Sequence, residues 1–186
     1  TSIRERNESG MGLVPEDRQK HGLVMQYTIA ENTIIKSYYK EPFQKHGFLH
    51  KNRMFSFADD ITKQFDVRSG EGVYSAARNL SGGNQQKAIL GREIALDPEL
   101  LIAVQPTRGL DVGAIEAIHK ELVKHRDRGR AVLLISFELD EIFNLSDRIA
   151  VMHRGALTGI VRPEETTVEE VGLMMAGDTR KHGGQQ

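Results

Sequence analysis

The sequence contains no cysteine among its 186 residues. Disulfide bonds and thiolate metal sites are therefore excluded. The longest uninterrupted apolar runs, residues 100–104 and 131–135, have five residues each, whereas a membrane-spanning helix needs about 20. The charges nearly cancel, with 25 basic and 26 acidic side chains and a formal net charge of -1. No overall positive field would attract nucleic acid or an anionic membrane, although a local basic patch is compatible with these totals.

A phosphate loop of the Gly-x-x-x-x-Gly-Lys-Ser/Thr type is missing as well, because the sequence has no Gly-Lys dipeptide. Residues 80–87 nevertheless read LSGGNQQK. Ser81 is predicted to cap a helix over 84–96, and Gly82 and Gly83 let a ligand come close to the backbone. The free amides and the positive dipole end of such a helix favour phosphate oxygens. Taken alone, this stretch is better explained as an ordinary capped helix, because capping is the commoner use of such residues.

Helices and short apolar strands alternate from residue 84 onward, which predicts an α/β fold with a mainly parallel sheet and flanking helices. Asp111 is the expected N-cap of the second of these helices. The predicted helices cover 84–96, 112–126 and 138–144, and the predicted strands cover 100–104, 131–135, 148–152 and 156–161. Earlier patterns predict a strand over 11–14 and helices over 29–39 and 52–65, and a capping box at 167–170 opens a last helix that ends at Gly177.

The order of the motifs between residues 79 and 153 resembles that of the ATP-binding cassette family. Residues 80–87 match the family's signature motif, residues 100–105 the Walker B strand, Gly109-Leu110-Asp111 the D-loop and Ser136-Phe137 the switch position. The segments at 15–18, 65–68, 139–142 and 145–148 look like the second cassette of the fused ATPases that serve bacterial sugar and nucleoside importers. The resemblance covers roughly residues 3–177.

The resemblance implies a partial P-loop NTPase fold that lacks the phosphate-loop strand, in the C-terminal part of a longer polypeptide. It divides the sequence into a Q-loop strand region (1–18), a helical signature subdomain (19–96), the C-terminal part of the RecA-like core (97–177) and a disordered tail (178–186). The missing strand belongs between strands 131–135 and 148–152, so two apolar strand edges are expected to be exposed. We expect the isolated chain to close that gap, to exchange elements with a copy of itself or to aggregate.

The resemblance also implies which residues would meet ATP. In this family two cassettes pair head to tail, so that the signature motif of one completes the ATP site of the other. The expected ATP-binding residues in trans are Ser81, Gly82, Gly83 and Gln85, and the expected D-loop residues are Gly109, Leu110 and Asp111.

Glu16 stands at the position of the family's Q-loop glutamine, the segment that links the nucleotide to the permease. A carboxylate there would repel a triphosphate unless a metal ion or an arginine compensates its charge. Arg18 and Arg108 are the candidates for that compensation. A coupling role for Glu16 is therefore favoured over a ligand role.

Three positions depart from the family pattern and predict a degenerate catalytic site. Where an active cassette has a magnesium-holding aspartate, a catalytic glutamate and a γ-phosphate-sensing histidine, this sequence has Val104, Gln105 and Phe137. Valine offers no oxygen to a metal, glutamine cannot take a proton from water at neutral pH, and phenylalanine neither donates a hydrogen bond nor titrates. Loss of a general base alone costs about 100- to 10,000-fold in rate. This chain is therefore expected to hold no catalytic residue and no metal ligand of its own, with Mg²⁺ bound only in the intact complex.

The partners that the resemblance implies are another cassette of the same polypeptide and transmembrane permease subunits, at the cytoplasmic face of the bacterial inner membrane, and not nucleic acid. Two other classes stay open at this point. One is a non-catalytic interaction or regulatory module. The other is the ATPase head of a DNA-repair protein, which would need a long coiled coil and a basic surface that this sequence lacks. The sequence does not distinguish a sugar from a nucleoside as the transported substrate.

Overall fold

The computed structural model describes residues 2–178 of the chain. Two compact units are found, the first ending at Ile135 and the second beginning at Ser136. The first unit contains α1 (Ile3–Glu8), β1 (Met11–Val14), α2 (Ile29–Ile34), β2 (Gln44–Lys45), β3 (Phe48–Leu49), α3 (Lys51–Gln64), α4 (Gly82–Ala95), β4 (Leu100–Val104), α5 (Val112–Asp127) and β5 (Ala131–Ile135). The second contains α6 (Leu139–Leu145), β6 (Ile149–His153), β7 (Ala156–Val161) and α7 (Val168–Met175).

Three parallel strands form the sheet of the first unit in the order β1-β4-β5. Ile102 in the central strand lies between Leu13 of β1 and Leu133 of β5. Parallel neighbours cannot be joined by a tight turn, and here α5 provides the crossover from β4 to β5. The predicted α/β class and the predicted strands over 11–14, 100–104 and 131–135 are confirmed.

One face of this sheet packs against α4 and α5. Val14, Leu101 and Ala103 alternate with exposed or half-buried neighbours along their strands and are completely buried. They share a hydrophobic core with Ile89 of α4 and Ile118 of α5. This two-layer packing places the start of both helices at the edge where the parallel strands end.

The opposite face of the sheet is apolar and open. Leu13, Leu133 and Ile135 are 43%, 49% and 43% exposed, although the strands of a parallel sheet are usually buried on both faces. β5 pairs with β4 along one edge, and no other strand of residues 2–178 pairs with its second edge. The free edge of β5 is thus one of the two exposed apolar strand edges that the sequence predicts, while the location of the missing strand stays a prediction.

A helical region formed by α2, α3 and the chain between them packs beside α4. Ile34, Phe43 and Met54 belong to its own buried core. The predicted helix over 52–65 is present as α3, but the predicted helix over 29–39 is wrong in its second half, since α2 ends at Ile34. Beyond Ile34 the backbone makes tighter turns, such as the Ser37 N–H to the Ile34 carbonyl at 2.8 Å, and leads into Pro42, which cannot continue a helix.

A buried ion cluster joins the helical region to the sheet. The carboxylate of Glu93 on α4 is fully buried. It accepts hydrogen bonds from the Leu13 backbone N–H (3.1 Å), the Lys36 ammonium (2.7 Å) and the Arg92 guanidinium (2.9 Å). Arg92 also donates to the backbone carbonyl of Gly22 at 2.9 Å. The cluster therefore fixes α4 to β1 and to the segments on either side of α2.

The second unit is a small antiparallel layer with its own core. β6 and β7 pair with each other, and Ile149, Val151, Val171 and Met174 are buried between this hairpin and α7. The predicted capping box at Thr167 is present. Strand β6 pairs only with β7 among the described residues, so the predicted strand over 148–152 forms at 149–153 but not as a member of the parallel sheet.

The other predicted boundaries are reproduced within a few residues. Predicted helices over 84–96, 112–126 and 138–144 correspond to α4, α5 and α6, and α7 is followed by Gly177 at φ = 93°. No helix in residues 2–178 is long and apolar enough to cross a membrane. The predicted tail 178–186 lies outside the described residues except for Asp178, and the predicted domain boundaries after residues 18 and 96 stay predictions.

We expect the isolated chain to self-associate through the exposed edge strand β5, and Leu133→Lys to suppress this. A lysine at this position places a charge on an exposed apolar edge strand, which disfavours edge-to-edge pairing. Sedimentation velocity at increasing concentration would show larger species for the wild type and mostly monomer for the variant. Leu157→Lys, which alters an equally exposed leucine in the second unit, is the matched control. A wild type that stays monomeric throughout would contradict the expectation.

The stability of the first unit is expected to fall in mild acid because of His125. This side chain at the end of α5 is buried, with Nε2 3.2 Å from the Pro98 carbonyl oxygen. Burial lowers the pKa of His125 below its ordinary value of 6.5, and the Pro98 carbonyl and the Asp97 charge oppose the shift only in part. The unfolded chain then binds a proton at a higher pH than the folded chain does. The free energy of unfolding should therefore decrease as the pH falls below 6.5.

Urea unfolding followed by circular dichroism would measure this decrease. The measurements are made at intervals of roughly one pH unit from about pH 7.5 to about pH 5.5, the range in which histidine titrates. His125→Gln keeps a donor for the Pro98 carbonyl but cannot be protonated. The variant should therefore show a shallower dependence on pH. An unchanged dependence would assign the acid sensitivity to other groups.

Candidate functional site

Helix α4 begins at a serine whose hydroxyl is held in place by its neighbours. Ser81 is the N-cap, and its Oγ accepts the Asn84 backbone N–H at 3.4 Å and the Asn84 side-chain amide at 2.9 Å. Asn84 in turn accepts the backbone N–H of Arg68 at 2.9 Å through Oδ1. Both lone pairs of the Ser81 oxygen are therefore used, and its own proton has no acceptor among the described residues.

The two glycines that follow Ser81 let neighbouring segments come close to the start of the helix. A Cβ atom at Gly82 would lie 2.8 Å from Nη2 of Arg18, and one at Gly83 would lie 3.1 Å from the Cβ of Ala114. Both positions therefore lie in close contact with neighbouring segments. Amides in the first turn of a helix lack intrahelical partners and carry the positive end of the dipole. This arrangement can bind an anion, as residues 80–87 predict.

Gln85 differs from the other predicted contacts because its side chain faces the interior. It is almost completely buried, and its Nε2 donates to the carbonyls of Ala77 (3.1 Å) and Leu80 (3.3 Å). Oε1 of Gln85 lies 3.4 Å from Nε2 of Gln19. Gln85 therefore holds the turn that leads into Ser81.

A cavity of about 350 Å³ opens beside the start of α4. One charged wall is formed by Asp66, Arg68 and Lys87, of which Asp66 accepts hydrogen bonds from the Arg68 Nε (3.1 Å) and the Lys87 Nζ (3.2 Å). These two hydrogen bonds, that of Arg68 first, lower the pKa of Asp66. The other lining residues are Ser81, Gly83, Asn84, Asp111, Gly113 and Ala114. The cavity thus joins the signature residues to the start of α5.

The predicted compensation at Glu16 is provided by Arg108. The two side chains form an ion pair, and Arg18 donates through Nη1 to the Arg108 backbone carbonyl at 3.0 Å. Because Arg18 also lies against Gly82, one polar chain connects the Q-loop position with the segment before α5 and with the start of α4. Glu16 is thus paired with an arginine.

The end of β4 carries the two residues at the Walker B position. Val104 is the last residue of the strand and lies opposite Ile135. Gln105 follows in the left-handed region at φ = 48°, and its backbone N–H donates to the Ile135 carbonyl at 2.8 Å. Its side chain is 7% exposed, and Nε2 has no hydrogen-bond partner among the described residues. No carboxylate of this chain stands at either position.

The predicted D-loop is a turn that ends in a helix cap. Gly109 adopts φ = 68°, and the Leu110 backbone N–H donates to the Thr107 carbonyl at 3.1 Å. Asp111 is the N-cap of α5, because its Oδ1 accepts the Ala114 backbone N–H at 2.9 Å. The predicted capping role of Asp111 is therefore confirmed.

Phe137 belongs to the second unit and is 73% exposed. Its ring offers no hydrogen-bond donor for a phosphate. Within residues 2–178, no group of three or more histidines, cysteines and acidic residues is arranged to hold a metal ion. Val104 and Phe137 carry no side-chain oxygen that could bind a metal ion.

The amino-acid sequence is similar to that of known import ATP-binding proteins. No protein-family model matches the chain. It is 57% identical over 181 residues to the guanosine import ATP-binding protein of Bacillus subtilis, covering 97% of this chain and 35% of that protein. The nucleoside import ATP-binding protein of Lactococcus lactis is 58% identical over 174 residues, or 94% of this chain and 34% of the relative. The chain belongs to the ATP-binding cassette family.

A solved cassette has the same fold at low sequence identity. The dimeric structure of an ATP-binding cassette in a post-hydrolysis state, bound to ADP and phosphate, matches with a TM-score of 0.70 and 22% identity. The match covers 86% of this chain and 65% of that cassette. The chain spans about a third of the length of its curated relatives.

Sequence reasoning missed the charged wall of the cavity. The resemblance includes residues 65–68, yet nothing in their pattern indicates that Asp66 would reach Arg68 and Lys87. Asp66 adopts φ = 49° after the end of α3, a conformation for which aspartate is enriched among residues other than glycine. A helix end followed by an aspartate is the only local signal that could have pointed to this turn.

Two substitutions of Asp111 test whether its hydrogen bond to the Ala114 N–H or its negative charge stabilises the start of α5. We expect Asp111→Ala to lower the free energy of unfolding by about 1 kcal/mol, because α5 loses its side-chain cap. Asp111→Asn retains an oxygen for the Ala114 N–H and should be close to the wild type. Urea unfolding at low protein concentration measures both variants. Equal losses in the two variants would show that the charge, and not the cap, stabilises this helix start.

Proposed function

We propose that this chain is part of the ATP-binding subunit of a bacterial nucleoside importer. Two relatives of nearly 60% identity are named as guanosine and nucleoside import ATP-binding proteins, which favours nucleosides over sugars as the transported substrate. In this proposal the chain supplies its signature motif in trans to the ATP site of another cassette in the same polypeptide. Its own Walker B and switch positions do not support hydrolysis.

The observation that carries the proposal is the state of the Ser81 hydroxyl. Two hydrogen bonds from Asn84 occupy its oxygen, so its proton is available to an anion at the start of α4. Ser81 and the amides of Gly82 and Gly83 would hold phosphate oxygens there, where helix amides bind anions most favourably. Gln85 would act through the turn that it holds, since its side chain is committed to backbone carbonyls.

The cavity also contains two cations, Arg68 and Lys87, that could meet a phosphate at the start of α4. Asp66 orients Arg68 and Lys87 at the cavity wall, and Asp111 directs its carboxylate to the α5 amide. In phosphoryl transfer, negative charge on the phosphate oxygens is redistributed. A protein catalyses this step mainly by holding hydrogen-bond donors and cations in place at those oxygens before the reaction starts. When bound, ATP would supply the phosphoryl group, and the base and the metal ligands would come from the partner cassette.

The proposed partners are the other cassette of the polypeptide and the transmembrane permease subunits, at the cytoplasmic face of the inner membrane. Glu16 is proposed to take part in coupling to the permease. Its pairing with Arg108 and the contact of Arg18 with the Arg108 carbonyl connect the Q-loop position to the signature helix. A movement of Glu16 would thus reach Gly82 through two arginines.

The proposal is tested in the complete two-cassette protein assembled with its permease. Ser81→Arg should lower transport-coupled ATPase activity by at least about 100-fold, because a bulky cation replaces the hydroxyl at the helix start. Ser56→Arg, on the exposed side of α3, is the matched control and should leave the activity near wild type. Nucleoside uptake into proteoliposomes, with a sugar as the competing substrate, identifies the transported class.

The double variant Val104→Asp/Gln105→Glu tests the degenerate half-site in the same assembly. Restoring both carboxylates should change the ATPase rate little, since the working site uses the partner's base. A large gain in activity together with a tolerated Ser81→Arg would reverse the assignment of the two sites.

Titration with nucleotide should show weak binding to the isolated chain and tight binding to the complete protein.

A further inference from the structure

A short hairpin in the helical region protrudes from the protein. Strands β2 and β3 pair through Gln44 with Leu49 and Lys45 with Phe48. The turn between them places His46 at φ = 52° and Gly47 at φ = 84°, the two left-handed positions of a tight hairpin turn. The segment from Lys40 to Arg53 is here named the basic hairpin.

The base of the basic hairpin is firmly attached. Phe43 is buried in the core of the helical region and packs edge-on against Phe57, with ring centroids 5.0 Å apart. The backbone N–H of His50 donates to the Phe43 carbonyl at 2.8 Å, and Gln44 donates to the Tyr39 carbonyl at 3.0 Å. The tip is therefore presented in a defined orientation.

The tip of the hairpin carries two apolar side chains that the protein leaves uncovered. Phe48 is 78% exposed and Leu49 is 53% exposed. Successive side chains of a strand point to opposite faces, so neither face of the hairpin packs against the rest of the protein. Together with the buried base, this exposure shows that the apolar tip extends into the surroundings.

Positive charge predominates in the basic hairpin. The basic hairpin contains Lys40, Lys45, Lys51 and Arg53 but only one carboxylate, Glu41. Its four cations are all exposed, and none of them forms an ion pair within the described part of the chain. Since the whole chain has a net charge of -1, this cluster is a local feature of one segment.

We propose that the basic hairpin binds an anionic lipid surface. Phe48 and Leu49 would enter the boundary between headgroups and acyl chains, and the lysines and the arginine would lie among the lipid phosphates. Basic residues beside a few inserted apolar side chains are the combination that holds peripheral proteins at such surfaces. The inference goes beyond nucleotide binding, because it uses no residue of the signature motif or of the cavity.

Charge and shape favour lipid over a protein partner. An acidic protein surface would match the cations, but a stable protein interface buries at least about 1,000 Å² with good complementarity. A hairpin of two-residue strands that displays one apolar side chain on each face offers little of that area. A fluid bilayer surface can surround both faces at once and therefore fits this tip better.

The absence of tryptophan from the sequence allows a direct test, because Phe48→Trp introduces the only indole. We expect its fluorescence to shift to the blue with vesicles of phosphatidylcholine containing about one third phosphatidylglycerol, and far less with phosphatidylcholine alone. Flotation of the vesicles in a density gradient separates bound protein from any aggregate. Met152→Trp, at an exposed position of the second unit, should show no shift.

Two variants of the wild-type chain separate the electrostatic and the apolar contributions. Lys45→Glu/Lys51→Glu should weaken partitioning onto the anionic vesicles at least about tenfold, and Phe48→Ser/Leu49→Ser should weaken it by a similar factor. Lys120→Glu, on exposed α5, is the charge control, and Ser81→Arg should bind vesicles as the wild type does, whatever its ATPase activity. Circular dichroism confirms that each variant is folded.

Three results would overturn the proposal. One is equal binding to neutral and anionic vesicles, and another is unchanged binding of the lysine double variant. The third is a Phe48→Trp emission that no vesicle shifts, while Phe48→Ser/Leu49→Ser loses binding to the permease subunits. That result would assign the basic hairpin to a protein partner.

Discussion

The buried carboxylate of Glu93 is the contact on which the arrangement of the first unit depends. Its donors come from β1, from the turn after α2 and from α4 itself. Hydrophobic contacts among the same elements are not directional, whereas these hydrogen bonds have one geometry that satisfies them. Removing one partner of a buried ion pair typically costs about 3–5 kcal/mol, because the remaining charge is left unpaired. The cluster therefore allows only a narrow range of positions for α4 relative to the sheet.

The position of the candidate site follows from that constraint. Helix α4 has 14 residues, which corresponds to about 21 Å at 1.5 Å per residue. Arg92 and Glu93 hold it near one end, and Ser81 caps the other end. At the Ser81 end, Gln85 fixes the preceding turn and Arg18 lies over Gly82. The signature residues are thus presented by a rod that is fixed at both ends, and not by a loose loop.

Much of this architecture could be predicted from the sequence because its signals are local. The five-residue apolar strands, the cap at Asp111 and the signature helix each depend on neighbouring residues, and their order identifies the family. Contacts between distant segments have no such signal. Nothing in the pattern brings Lys36 to Glu93 or Asp66 to Lys87, which depend on how the completed elements pack.

The basic hairpin escaped prediction for a different reason. Its strands have two residues each, which is too short for alternation to be recognised. The turn between them contains a histidine in the left-handed region instead of the asparagine or aspartate that usually marks such turns. The predicted helix over 29–39 extends past Ile34 for the same reason, because no turn signal follows Ile34. Pro42 is the first residue after it that indicates a break in the helix.

The end of β4 has a neutral glutamine, Gln105, where an active cassette has a catalytic glutamate. The surroundings of Gln105 are consistent with a neutral side chain. Its side chain is nearly buried, and its amide nitrogen has no partner in the described part of the chain. An unsatisfied neutral amide costs about 1–3 kcal/mol, but an unpaired carboxylate in the same place would cost more and would have a raised pKa. The backbone turn at φ = 48° and its hydrogen bond to Ile135 keep the shape of the strand end without that charge. With its own base position neutral, the chain has its proposed anion-binding groups at the start of α4, where an ATP site completed by another cassette would use them.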